Sequence, residues 1–443
     1  MKRHLPLLLT SILLLVLLGA GCAPAATPTP TIPTPEVIRE TVVVTATPEP
    51  TAPPAPVTIT YFTFSAAPDH LVELDEMIQI FEEEHPGIEV KVELAPFGEY
   101  FTKLQTLIAG GTAPDVFELN YENFVSFAAK GVLLDLGPLA QADEEFDPTV
   151  FYPRAYNAFN LNGIQFGLPE TFSTVVLYYN KDLFDDAGVA YPTADWTWAD
   201  AVAAAEELTD ADEGVWGLYS PIQFWEFYKK AAQNGCSFFN EDKTEATINE
   251  PKCVEALQTM IDFVTKYHVM PSDAEMGGIS DGDMFKAGKI AMDVTGIWMF
   301  AAFEDAPFEW DIQVEPGMAQ KATHFFSNAV SVFAATKHPQ EAWEWVRFFT
   351  TSPEMAQIRV KSAWELPTLD NPALFADYLE QRPPANREAV FESLNYAIVP
   401  PVIERQSEMQ DAVNNLLDKV KLGQLDPKEA LDQAKVEIEE LIK

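Results

Sequence analysis

The chain has 443 residues, with 68 acidic side chains but only six histidines and three cysteines. That inventory limits the chemistry open to it. It contains no G-x-S-x-G nucleophile elbow, no H-E-x-x-H or paired-histidine spacing and no P-loop. The "GKIA" at Gly288–Ala291 lacks a preceding glycine loop and reads as a turn before a strand. Carboxylates are plentiful, and a retaining glycosidase needs two of them about 5 Å apart, yet no local signature selects a pair. Aromatic planes and hydrogen-bonding amides, hydroxyls and carboxylates remain. No cofactor or metal is expected.

Nine tryptophans are the natural stacking surfaces, and several of them read as structural. In "ADWTWADAVAAAEELT" (Ala194–Thr209), Thr197 is placed as an N-cap with Asp200 three residues on, a capping-box pattern. Trp196 then precedes the cap, Trp198 opens the helix, and both belong to the helix start rather than to a ligand. Trp345 shares an i, i+3, i+4, i+7 stripe with Ala342, Val346 and Phe349 and is expected in the core. Trp310 and Trp216 lie in strand-like contexts and read the same way.

At the N-terminus, Met1–His4 is basic, Leu5–Leu18 is apolar, and small residues lead to Cys22. This pattern predicts a signal peptide over residues 1–21. Leu18-Gly19-Ala20-Gly21-Cys22 resembles a bacterial lipobox, with Gly19 where an aliphatic residue is usual, so Cys22 is expected to carry lipid; ordinary cleavage beside an incidental cysteine is the alternative. Residues 22–56 are dense in Pro and Thr, which favours an extended stalk. Cys236 and Cys253 are expected to form a disulfide in an extracytoplasmic setting, two free thiols being the alternative. A net charge of −40 disfavours nucleic acid and anionic lipid headgroups as ligands.

The body opens with a strand at Val57–Phe64, a helix carrying Leu71, Leu74, Met77, Ile78 and Phe81, and an alternating strand ending at Leu94. A helix over Glu99–Ile108 and a strand at Asp115–Leu119 follow. Strand–helix–strand–helix–strand implies a parallel sheet whose ligands gather beyond the strands' carboxyl ends, at Thr63–Ala66 and Asn120–Asn123. The length suggests two lobes.

"FEEEHPGIEVKVE", "YFTKLQTLIAGGTAPDVFEL", "AAKGVLLDL", "VLYYNKDLFDDAGVAYPTADWTW", "GKIAMDVTGIW" and "AWEWVRFFTTSPEMA", in this order, closely resemble bacterial extracellular solute-binding proteins of the maltose-binding type, the receptors of carbohydrate ABC importers. The resemblance spans about Val57 to Lys443. It implies an α/β fold of the periplasmic-binding-protein type: two α/β lobes joined by a multi-crossing hinge, with a ligand cleft between them. Lobe 1 would hold residues 57–168 and 327–364, and lobe 2 residues 169–326 and 365–443, with crossings near Gly167–Asn180, Phe325–Asn328 and Trp364–Leu369. The implied role is to capture a mono- or oligosaccharide, close, and dock as a monomer on a membrane permease, held to the membrane by the N-terminal lipid. A secreted carbohydrate-active hydrolase or lyase is the alternative.

The same resemblance implies the ligand-binding residues. Trp298 matches a tryptophan that stacks on sugar in the relatives. Phe224 and Trp225 occupy a loop that supplies an aromatic ring there, although Phe224, Trp225, Phe227 and Tyr228 lie on at least two faces and one or two must be core. Trp364, Glu365 and Tyr121 join them at a crossing and a strand end. Ser65, Asn120, Glu170, Ser173, Gln223 and Asn328 are the implied polar contacts. Tyr179-Asn180-Lys181-Asp182 is a family hallmark expected to finish a strand and cap the next helix.

Overall fold

In strand β1 (Val57–Thr63), Ile59 and Tyr61 face one side and Phe62 the other, and all three are buried. A strand buried on both faces needs helices above and below it, and the sequence supplies them. Helices Pro68–Glu84 and Phe97–Ala109 cross over to β2 (Ile88–Leu94) and β3 (Val116–Asn120), giving the expected parallel set β2–β1–β3 with β1 central. Asp115 ties this set together, because its Oδ2 accepts from both the N–H and the hydroxyl of Thr60 at 2.9 Å. The computed structural model describes residues 56–65, 68–362 and 365–443. The expected signal peptide, Cys22, the stalk up to Ala55, and Trp364 lie outside the described residues.

Beyond β3, where the sequence reading set no strand direction, the sheet becomes mixed. After the hairpin β4 (Asn160–Leu161) and β5 (Ile164–Gln165) comes the 14-residue strand β6 (Gly167–Asn180). Short strands β7 (Met292–Gly296) and β8 (Trp310–Gln313) precede the ten-residue β9 (Thr323–Val332), and β10 (Leu366–Pro367) and β11 (Ala397–Ile398) follow. The order is β10–β6–β9–β3–β1–β2, with β9 antiparallel to both β3 and β6. β7 and β8 pair with the later half of β6, and β11 with the start of β9. Periodicity reveals strand existence but not partner direction, so this mixed topology was not readable from local pattern.

The buried apolar side chains separate into four clusters. Two flank the β2–β1–β3–β9 sheet: Tyr61, Phe81, Val330 and Trp345 on one face, Phe62, Tyr100, Phe117 and Phe124 on the other. The other two flank the later half of β6, where alternation sends Val175, Leu177 and Tyr179 one way and Val176 and Tyr178 the other. Each half is therefore a sheet with helices on both faces, and β6 and β9 belong to both halves. This is a pair of α/β lobes joined through shared strands.

Local signals behave as their chemistry requires. Thr197 caps helix Trp198–Leu208 in a reciprocal capping box with Asp200, and Trp198 is buried against Phe263 with its Nε1–H donated to Gln233 at 2.7 Å. Asn180 ends β6 and caps Lys181–Ala187 by accepting from Leu183 N–H. Trp345 and its stripe are core. Cys236 and Cys253 are bonded, Cα atoms 5.5 Å apart, joining the end of helix Phe224–Gln233 to the start of Pro251–Thr265. Closing a loop of 17 residues restricts the unfolded chain. Replacing both cysteines by serine should lower unfolding free energy by about 3 kcal/mol in the chain-entropy account, measured from urea midpoints under oxidising conditions.

Candidate functional site

Register across β3, β9 and β6 places the site. Asn120 and Thr171 both lie opposite Asn328, and Ser173 lies opposite Phe326. Directly opposed residues share a sheet face, as do residues two apart along a strand. One face therefore carries Asn120, Asn328 and Thr171 in one row, Phe326 and Ser173 in the next, and His324 beyond. A register shift between Pro169 and Thr171 makes Glu170 an extra, bulged residue. Bulges re-aim side chains, and this one lets Glu170 Oε1 accept from Arg359 Nη2 at 2.6 Å.

Around the first row lies a polar corner. Glu365, just before β10, accepts from the Thr171 hydroxyl at 2.6 Å and from Asn328 Nδ2 at 3.1 Å. Glu118 on β3 is fully buried and accepts from Thr63 Oγ1 at 2.5 Å, Ser65 Oγ at 3.2 Å and Phe64 N–H at 3.3 Å. Glu170 and Glu365 thus lie near the guanidinium of Arg359, and Glu118 lies near both of these carboxyls. Burial, then repulsion from Glu170, pushes Glu118 well above the usual carboxylate range. Burial likewise raises Glu170, against the pull of Arg359. Burial first, with the charge of Glu170 adding to it, lifts Glu365 to about 7 despite its hydrogen bonds. A carboxyl in that range either donates or accepts near neutral pH, which is useful against hydroxyls.

Along the later rows lies an aromatic arc. Of the four rings of helix Phe224–Gln233, Phe224, Phe227 and Tyr228 are buried and only Trp225 is partly exposed. Its ring stands 6.3 Å from that of Phe326, and Trp298 approaches Phe326 from elsewhere at 5.8 Å. Phe326 is the ring that links the two tryptophans. Sequence reasoning named the crossing it sits in but not the residue; the alternation of β9, with buried Phe325 on the opposite face, was the available signal.

Not every expected contact joins this face. Phe224 is packed between Tyr228 and Phe238 in the core, which corrects its assignment as an open ring. Ser173 is beside Phe326 but covered. Gln223 opens onto a cavity of 320 Å³ lined also by Tyr219, Met270, Asn414 and Lys421, which none of the other expected residues lines. Asn120 Oδ1 is engaged in capping Tyr121–Ala129 through Asn123. Tyr121 meets Phe159 edge-on at 6.4 Å. Trp364 lies outside the described residues. Glu122, absent from the sequence expectations, is buried beside Tyr121 and raised to about 7 by burial.

The match to known proteins is decisive at the family level: residues 67–356 fit the model of bacterial extracellular solute-binding proteins. The chain belongs to this family. The ABC substrate-binding protein of Listeria monocytogenes, solved in complex with cycloalternan, is 49% identical, with a TM-score of 0.84 over 87% of this chain and 98% of that one. The galactooligosaccharide-binding protein of Bacillus subtilis is 24% identical over 82% of this chain and 84% of its own length. The maltooligosaccharide ABC transporter solute-binding lipoprotein of Streptococcus pneumoniae is 24% identical over 84% and 86%. In this solute-binding protein the polar corner and the aromatic arc therefore sit on a fold of known architecture, where shared strands join the lobes.

Glu122, at the start of helix Tyr121–Ala129, carries a pH signature. Its folded-state pKa of about 7 exceeds the ordinary 4.5, so the folded state holds the extra proton between those values. Stability from this group is complete below the lower value and declines as pH rises through the upper one. Glu122→Gln should match wild type in Tm near about pH 5 and exceed it by a few degrees near about pH 8; equal pH dependence in both proteins would refute the buried, protonated carboxyl.

Proposed function

We propose that this protein is the extracytoplasmic receptor of a carbohydrate ABC importer, binding a mono- or oligosaccharide between its lobes. The carrying observation is the aromatic arc Trp225–Phe326–Trp298 continuing into the Asn328–Thr171–Glu365 corner on one sheet face. Sugar rings offer apolar faces to the arc and hydroxyls to the corner. The relatives named for cycloalternan, galactooligosaccharides and maltooligosaccharides support this ligand class.

In this reading residues 57–168 with 327–364 form one lobe, and 169–326 with 365–443 the other. Ligand bridging both would favour the closed arrangement by its differential affinity for it, and the closed form would dock on the permease. First contacts are Trp225, Trp298, Asn328 and Glu365, with Ser65, Asn120, Tyr121 and Glu170 around them. Cys22 would carry the lipid and residues 22–56 the tether, in keeping with the lipoprotein named among the relatives.

A thermal-shift screen of the purified protein against mono- to oligosaccharides tests this. A bound sugar at about 100 times its Kd contributes about 2.7 kcal/mol of stability, a readable rise in Tm. Trp298→Ala should remove that rise while the ligand-free Tm stays within a few degrees of wild type. A sugar consumed during incubation with the purified protein would replace the receptor reading with an enzymatic one.

A further inference from the structure

Directly behind the aromatic arc lies a cluster of charges with no access to solvent. Helix Phe224–Gln233 turns Glu226, Lys229, Lys230 and Gln233 inward, all fully buried. Lys229 Nζ lies 2.8 Å from Glu226 and 2.5 Å from Glu315; Lys230 Nζ lies 3.2 and 3.3 Å from the same two carboxylates. Ser220 Oγ donates to Glu226 at 3.1 Å, Gln233 donates to Glu315 at 3.1 Å, and Lys230 Nζ sits over the Trp198 ring. Two lysines and two glutamates balance in charge, but buried ion pairs contribute little net stability compared with apolar packing of the same volume.

They hold His324. Its Nδ1 is 2.6 Å from the Tyr228 hydroxyl and its Nε2 is 3.9 Å from Glu226. A carboxylate facing Nε2 favours a hydrogen there, so Nδ1 accepts the Tyr228 O–H. Burial, and then the lysine charges, keep the imidazole neutral, with its pKa lowered to about 3. The ring so oriented lies parallel to Phe326, 4.6 Å away at 17°, and 5.1 Å from Trp225. It is thus the shared backing of two rings of the arc.

We infer that His324 and Tyr228 are positioning residues, which touch no ligand but set the spacing of Trp225 and Phe326 for a stacked sugar ring. The sugar-ring part rests on the proposed receptor function; the positioning of Trp225 does not. Without the Tyr228 bond the imidazole can rotate, and both rings lose their fixed backing. Preorganised rings bind more tightly because less side-chain freedom is lost on binding.

The test separates the two layers. Trp225 emission is isolated as the difference between each protein and its Trp225→Phe counterpart, without ligand. Tyr228→Phe, which removes one oxygen, should keep Tm within a few degrees yet roughly double acrylamide quenching of that emission. Unchanged emission and quenching would overturn the inference. Should Tyr228→Phe not fold, His324→Gln is read in the same way. Calorimetry with cycloalternan, the ligand of the Listeria relative, adds the second layer: Tyr228→Phe should weaken binding about tenfold, about 1.4 kcal/mol, and Trp225→Ala more. Wild-type binding that survives Trp225→Ala unchanged would overturn the stacking role of Trp225 while leaving the emission result to judge the positioning. Wild type that ignores cycloalternan likewise leaves the emission result decisive.

Discussion

The antiparallel pairing of β6 with β9 is the constraint on which the rest depends. These strands are long enough to belong to both sheets, and their fourteen and ten residues are almost wholly buried. A slip of one residue would turn every side chain to the opposite face. Asn328 would leave Thr171 and Glu365, Phe326 would enter the core, and Phe325 would take its place on the open face. The bulge at Glu170 confines the irregularity to one residue and puts it to use, because that residue meets Arg359. Register thus joins lobe architecture and site chemistry in a single requirement.

Polar groups of opposite temper sit at the two ends of this site. At the corner, carboxyls outnumber cations and are pushed toward protonation, so they remain versatile partners for hydroxyls. Behind the arc, carboxylates and ammonium groups are matched, and the imidazole between them stays neutral. The first arrangement keeps polar atoms adaptable where a ligand would touch. The second pairs charges with one another where all of them are buried.

What was legible in the sequence was local. The capping box at Thr197, the cap at Asn180, the Trp345 stripe and the β1 to β3 succession all depend on residues within a turn or a crossover of one another. The resemblance to a receptor family led to the right architecture. What escaped was set by distant partners. Glu170 meets Arg359 across 189 residues, and Thr171 meets Glu365 across 194. Lys229 and Lys230 are paired, while fully buried, with Glu315, far along the chain. Phe224 and Trp225 are neighbours with opposite fates, decided by which side of the helix the rest of the lobe covers.

The cluster around Leu177 and Phe227 also draws on both the middle and the end of the chain. Its walls come from residues 175–294 and then from Met409, Val413, Leu416, Leu431 and Ile438 near the end of the chain. A polypeptide still lacking its last helices has a half-open apolar cavity where that core should be. This core is complete only when the last two helices, Gln406–Lys421 and Pro427–Leu441, are in place. Truncations at the C-terminus should accordingly behave as unfinished molecules, not trimmed ones.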